Sequence, residues 1–125
     1  MAILLHPDEC YSIMGACFEV YNRMGSGFRE QVYHECVEIE LREQSIPFVQ
    51  KDPITLNYRR QPLRSFLAPD FICFEKVIVE IKAIKAIDNE CRAQILNYLR
   101  ATQLKLGIVV NFGSTPKLEY ARFVR

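Results

Sequence analysis

Three β-branched residues in a row, Val77-Ile78-Val79, run straight into Glu80-Ile81-Lys82-Ala83. An unbroken run of this kind belongs to a strand covered on both faces, so Lys76 to Ala83 is expected at the centre of a sheet. Alternation then sends Glu80 and Lys82 to one face, and Val79, Ile81 and Ala83 to the other. Charge on such a strand is costly without a partner. Downstream, Asp88-Asn89 has the character of an N-cap. Cys91, Ile95, Tyr98, Leu99 and Thr102 follow at helical spacing. Gly107 to Phe112 is a second apolar strand. A strand, a helix and a strand in this order imply a right-handed crossover between parallel neighbours. The chain is therefore expected to be α/β with a mixed sheet.

The first half supplies helices. Pro7-Asp8-Glu9 starts one, with proline in the first turn and acids at the positive end of the dipole. Its apolar stripe is Cys10, Met14, Cys17, Tyr21 and Met24, and Gly25-Ser26-Gly27 ends it. A second helix is expected from about Phe28 to Gln44, with Tyr33, Val37 and Leu41 on one face; Pro47 lies beyond its end. Glu35, Glu38 and Glu43 form its solvated side. Ile54, Leu56 and Tyr58 alternate with polar residues as in a half-buried strand. Arg59-Arg60-Gln61 is a polar turn, Ser65 to Phe74 a second strand, and Tyr120 to Val124 a short last one.

With 125 residues and half of them hydrophobic, residues 1–125 make one domain with a core that needs no metal or disulfide to stand. No linker or repeat divides it. Sixteen basic residues against fifteen acidic ones, a formal charge of +1, exclude binding of nucleic acid through bulk charge. No apolar run is long enough for a membrane helix. The patch from Met1 to Leu5 is too short and lacks the basic flank of a signal peptide. The expected location is the cytoplasm, without membrane association. The five cysteines are odd in number and none are spaced as CxxC, so they are expected to be reduced and structural. His6 and Cys10 lack the second pair a zinc site needs. His34 is expected on a helix surface.

Charge concentrates at Asp70, after Pro69, and at Glu80 and Lys82. Register decides whether the acids meet. A three-residue loop, Phe74-Glu75-Lys76, pairs residue 73 with 77 and sets Asp70 opposite Glu80. A two-residue loop sends Asp70 to the wrong face unless a bulge near Pro69 corrects it. One of these corrections is expected. Two carboxylates about 4 Å apart repel by about 4 kcal/mol at an effective dielectric of 20. They therefore share a proton or bind a cation, and Mg²⁺ or Mn²⁺ suits oxygen ligands of this kind. Acid, acid, lysine and metal would make a site for phosphodiester hydrolysis; the alternative for so short a pattern is a surface Asp, a strand Glu and a Lys in an ordinary salt-bridge ladder.

The wider pattern resembles a family. Gly27-Phe-Arg-Glu30-Gln-Val-Tyr33 spells GxxExxY, and Pro69-Asp70, Glu80-Ile-Lys82-Ala83, Gln94-Ile-Leu-Asn-Tyr98-Leu99 and Leu106-Gly107-Ile-Val-Val-Asn111-Phe112 follow in order. The chain is similar over nearly its whole length to the GxxExxY proteins of the PD-(D/E)XK nuclease superfamily. That resemblance implies an αβββαβ mixed-sheet sandwich of the restriction-endonuclease-like type, with an extra N-terminal helix. It makes Asp70 and Glu80 metal ligands, with the Ile81 carbonyl as a further one. Lys82 becomes the catalytic lysine, Glu30 an additional acid at the metal, and Gln94 and Tyr98 the polar pair that orients Lys82 or the nucleic-acid strand. Glu30 lies on the stripe of Tyr33, Val37 and Leu41 and is expected to point inward. Ser26 and Tyr21 stand where the family often has proline and histidine.

Together these readings point to a Mg²⁺- or Mn²⁺-dependent nuclease acting on DNA, with RNA the less favoured substrate. Lys85, Arg92, Arg59, Arg60 and Arg64 are candidates for phosphate contacts, with solvated surface as their default reading. The alternative is a catalytically silent binding or dimerisation module on the same fold. A homodimer is one way for such a minimal core to gain specificity; no residue points to it.

Overall fold

The computed structural model describes residues 4–125; Met1 to Ile3, part of the N-terminal apolar patch, lie outside the described residues. Two helices open the chain, α1 (Pro7–Met24) and α2 (Glu30–Glu43). They are followed by β1 (Phe48–Gln50), β2 (Ile54–Tyr58), β3 (Gln61–Leu67), β4 (Phe71–Cys73) and β5 (Val77–Lys82). Then come α3 (Asn89–Thr102), β6 (Leu106–Asn111) and β7 (Glu119–Val124). Five strands form one sheet in the order β1-β4-β5-β6-β7, while β2 and β3 pair only with each other. β5 and β6 run parallel, joined through α3, and the other pairs are antiparallel. The fold is α/β, a mixed sheet flanked by helices.

Period-2 alternation on β5 sorts the core into two halves. Val77, Val79 and Ile81 pack with Ile108 and Val110 under α1 and α2, against Ile13, Cys17, Tyr33, Val37 and Leu41. Ile78 and Val109 pack under α3 with Cys91, Ile95, Tyr98 and Leu99. All of these are buried, which explains why β5 and β6 are apolar on both faces. α3 seats closely on the sheet because Gly107 has no side chain. A Cβ there would lie 2.5 Å from the Ile95 side chain. Asp88 caps α3, accepting the Cys91 amide at 3.0 Å.

Three expectations change. Ser65 to Phe74 is not one strand: β3 and β4 are separated at Ala68-Pro69-Asp70 and belong to different sheets. β1, unseen in the sequence pattern, forms the edge beside β4. Ile54 to Tyr58 leaves the main sheet altogether. All five cysteines are free, with Cys17, Cys73 and Cys91 buried and Cys10 and Cys36 half-buried. Among the described residues no helix is long and apolar enough to cross a membrane.

Candidate active site

The β4–β5 hairpin sets the geometry. Cys73 pairs with Val77, Ile72 with Ile78 and Phe71 with Val79, so the three-residue loop is the form taken. One step further, Asp70 stands opposite Glu80. The two acids there clasp each other's backbone. The Asp70 amide donates to Glu80 Oε2 at 2.6 Å, and the Ile81 amide donates to Asp70 Oδ2 at 2.8 Å. Pro69 has no amide to donate, which helps to end the antiparallel ladder here. The Lys51 amide holds the Pro69 and Asp70 carbonyls at 3.0 and 3.2 Å.

Glu80 is 3% exposed. Burial, and next the negative charge of Asp70, push its carboxyl up to about 8, against the opposing pull of the Asp70 amide and Lys82. Asp70 is raised too, first by burial, while the Ile81 amide and His34 act against the rise. The Tyr98 hydroxyl is raised by burial and by Glu80. A buried Glu80 clasped to a half-buried Asp70 is short of positive charge.

Lys82 lies on the α3 side of β5. Its Nζ donates to Gln94 Oε1 at 2.8 Å, and Gln94 Nε2 donates to the Tyr98 hydroxyl at 3.2 Å. Gln94 and Tyr98 are one helical turn apart, so a single face of α3 carries both. An open cleft of about 360 Å³ borders this row, lined by Glu30, Lys82, Ile84, Asp88, Cys91 and Gln94 among others.

Glu30 does not point inward. As the first residue of α2 its side chain is 46% exposed, on the cleft rim. The fully buried stripe begins only at Tyr33. That tyrosine explains the outer residues of the GxxExxY pattern. Its hydroxyl donates to the Gly25 carbonyl at 2.6 Å and accepts the Phe28 amide at 3.2 Å, while its ring stacks on Phe112 at 4.7 Å. Tyr33 thus ties down the α1–α2 turn from which Glu30 projects. Gly27 sits in that turn at φ 111°, a region open chiefly to glycine.

His34 was expected on the surface and is instead buried, 9% exposed. Its Nε2 lies 3.4 Å from Glu30 Oε2 and 3.6 Å from Asp70 Oδ2, bridging the rim acid to the half-buried one. The available signal was its position four residues after Glu30, beside the Tyr33 stripe. Asn111 was also not singled out by the sequence reading. It is fully buried, and its Oδ1 accepts the amides of Ile84 at 2.9 Å and Gly113 at 3.0 Å. Its Nδ2 donates to Glu119 Oε1 at 2.9 Å, the same oxygen that accepts the Ile87 amide at 3.0 Å. This network fixes the segment between Lys82 and α3.

Among the described residues no three His, Cys, Asp or Glu side chains are gathered in a metal-holding cluster. The donor set still suits a hard cation. Asp70 and Glu80 offer carboxylate oxygens of the kind such an ion takes, and a cation bound there would have to displace the proton that burial favours. Ile81, whose carbonyl was expected as a further ligand, here donates its amide to Asp70.

A family model described as the PD-(D/E)XK nuclease superfamily matches residues 7–123. No curated protein and no solved structure matches the chain.

Proposed function

The chain belongs to the PD-(D/E)XK nuclease superfamily, and on that premise we propose that it hydrolyses phosphodiester bonds of nucleic acid, DNA rather than RNA, as a single catalytic domain. The observation that carries this reading is the reciprocal clasp of Asp70 and Glu80 with Lys82 two residues further along the same strand. The GxxExxY motif, with Tyr33 bracing the turn before Glu30, supports the branch of that name.

Asp70 and Glu80 would hold Mg²⁺ or Mn²⁺, with the Ile81 carbonyl as a further ligand. When bound, such an ion lowers the pKa of a water and offsets charge growing on the phosphate oxygens. The chain's own residues do the rest. Lys82 positions the attacking water and places its charge beside the phosphate. Gln94 holds the Lys82 ammonium at 2.8 Å, and Tyr98 holds Gln94, so the lysine is aimed before substrate arrives. Glu30 and His34 extend the polar row from Asp70 to the rim, where Glu30 would bind the ion directly or through water.

Pure protein incubated with labelled single-stranded, duplex and branched DNA, with Mg²⁺ or Mn²⁺, tests the reading. Cleavage that disappears in Lys82→Ala supports it. No cleavage of any of the three, with Lys82→Ala indistinguishable from wild type, rejects it. Calorimetric titration with Mn²⁺ supplies a second readout: a binding isotherm is expected for wild type and none for Asp70→Asn.

A further inference from the structure

We propose that the β2–β3 ribbon grips a single-stranded stretch of nucleic acid beside the acid–lysine cluster, its arginines taking phosphates and its exposed aromatic rings stacking on bases; this rests on the nuclease reading above.

Charge is the first reason. Ile54 to Leu67 contains Arg59, Arg60 and Arg64 and no acidic residue, while the whole chain sums to +1. Everything outside the ribbon therefore sums to −2. Thirteen of the sixteen basic residues lie elsewhere, but there acids outweigh them; the ribbon carries basic residues with no acid to offset them, as contact with a polyanion favours.

Exposure is the second. Tyr58 is 66% and Phe66 60% exposed, on two strands that hydrogen-bond only to each other. Only the base of the ribbon is tucked in, where Leu67 packs against the cluster under α3. Phe66 pairs with Thr55, three residues from Tyr58, so alternation puts the two rings on opposite faces of the ribbon. Each ring, with an arginine nearby, offers its own face to an unpaired base, which paired and stacked bases cannot use. The Arg59 guanidinium already lies over the Tyr58 ring, 5.9 Å from its centre.

The tip is the third. Tyr58 pairs with Gln61, leaving Arg59 and Arg60 as the two turn residues. Both have left-handed backbone, φ 50° and 67°. A two-residue turn with positive φ at both positions favours Asn-Gly. Both residues are exposed, so beyond the Arg59 contact with the Tyr58 ring arginine gains little there from packing. Their side chains suit something outside the chain better than they suit the turn.

Position is the fourth. Leu67 ends β3 three residues before Asp70, and Lys51, three before β2 begins, bonds to the carbonyls of Pro69 and Asp70. Both feet of the ribbon are thus rooted at Asp70. A strand held along a ribbon roughly 15 Å long passes the acids on its way.

The test measures fluorescence anisotropy of a labelled single-stranded oligodeoxynucleotide and of its duplex, in EDTA, over a series of salt concentrations. Replacing Arg59, Arg60 and Arg64 together by alanine is expected to weaken single-strand binding about tenfold or more and to flatten the log–log salt slope by about 2, the value for three lost phosphate contacts. Tyr58→Ala and Phe66→Ala should each weaken binding several-fold with the slope unchanged, as lost stacking would. The double replacement Arg59→Asn with Arg60→Gly should melt at a higher temperature yet bind less tightly, which separates binding from folding. Equal affinity and slope for the triple variant overturn the proposal. So does a wild type that binds duplex as tightly as single strand while both aromatic variants are neutral. A dimer in sedimentation that the triple variant converts to monomer, with oligonucleotide affinity unchanged, also overturns it in favour of a second copy of this chain. Cleavage assays keep the two readings apart. An active wild type with ribbon variants unaltered in binding sinks the grip alone. Absence of cleavage and of Mn²⁺ binding, with ribbon variants still losing affinity, sinks the catalytic reading and leaves the grip standing.

Discussion

The β4–β5 hairpin turns through Phe74-Glu75-Lys76 and holds Glu80, with Asp70 at its end, away from water, whereas the β2–β3 ribbon turns through Arg59-Arg60 and keeps its charges in water. Both turns hold two non-glycine residues at positive φ, 57° and 58° at Phe74 and Glu75, 50° and 67° at Arg59 and Arg60. The same backbone cost meets different compensation. Phe74 packs against the core under α1 and α2, and its amide bonds to the Pro47 carbonyl at 2.9 Å. Its turn also delivers the register that faces Asp70 with Glu80. The ribbon tip has no such packing. Strain that is offset within the fold explains itself by structure, and strain that is not points outward to a ligand.

The largest effect should come from the buried hairpin. Asp70→Asn or Lys82→Ala should reduce cleavage by about 10³-fold, equivalent to about 4 kcal/mol of transition-state stabilisation. Initial rates on labelled DNA measure this. A loss below tenfold in both variants would make the two hairpins equals and erase the contrast. Next comes the segment that carries the site toward α3. Asn111→Leu strands the buried amides of Ile84 and Gly113 and should cost about 3 kcal/mol in urea unfolding. The matching change at an exposed ribbon position, Ser65→Ala, should stay within about 0.5 kcal/mol.

Charge inside the buried hairpin should also show as pH dependence. Glu80 titrates near 4.5 when unfolded and at about 8 in the fold. Between those values the native state keeps a proton that the unfolded chain has lost. Stability of metal-free protein should therefore fall as pH rises from about 4.5 to about 8, by at most about 1.4 kcal/mol per pH unit from this group, and level off above. The Asp70 shift acts in the same direction. Glu80→Gln should flatten the curve, and saturating Mn²⁺ should lift its alkaline end. A wild-type curve that rises over this window would contradict the burial of these acids. The smallest effect belongs to the exposed turn: Arg59→Asn with Arg60→Gly should raise stability by about 1 kcal/mol by relieving positive φ. Thermal unfolding checks it, and no gain would mean that the two turns are equally well compensated.

Much of the site's frame was legible because local rules and tertiary packing agree there. Val77-Ile78-Val79 and the run from Gly107 did become the two parallel central strands, since only a covered strand tolerates such residues on both faces. The three-residue loop was one of two forms the sequence left open, and the pairing of Cys73 with Val77 decides between them. Ser65 to Phe74 misled because apolar residues lie on both sides of Pro69-Asp70. Proline marks the break, but nothing local says that the chain then changes sheets. β1 is three residues long, too short to show a period. Glu30 sits on the apolar stripe by spacing, yet at the first residue of α2 the helix has not reached the core. His34 was hidden because its partners, Glu30 and Asp70, lie on different elements. Asn111, a lone amide in an apolar strand, was the readable exception passed over.

Gly113 takes no part in the chemistry, yet it faces a constraint as strict as any on the acids. A Cβ there would fall 2.2 Å from the Ile84 carbonyl oxygen and 2.6 Å from the Ile84 nitrogen. The obstacle is main chain, so no change of rotamer clears it. Any larger residue has to displace the segment leading from Lys82 to α3. A saturation screen scored only by survival of function would rank this glycine beside Asp70 and invite the wrong conclusion about both. Scoring abundance in parallel would separate them: variants at Gly113 should lose protein as well as function, and Asp70→Asn function alone.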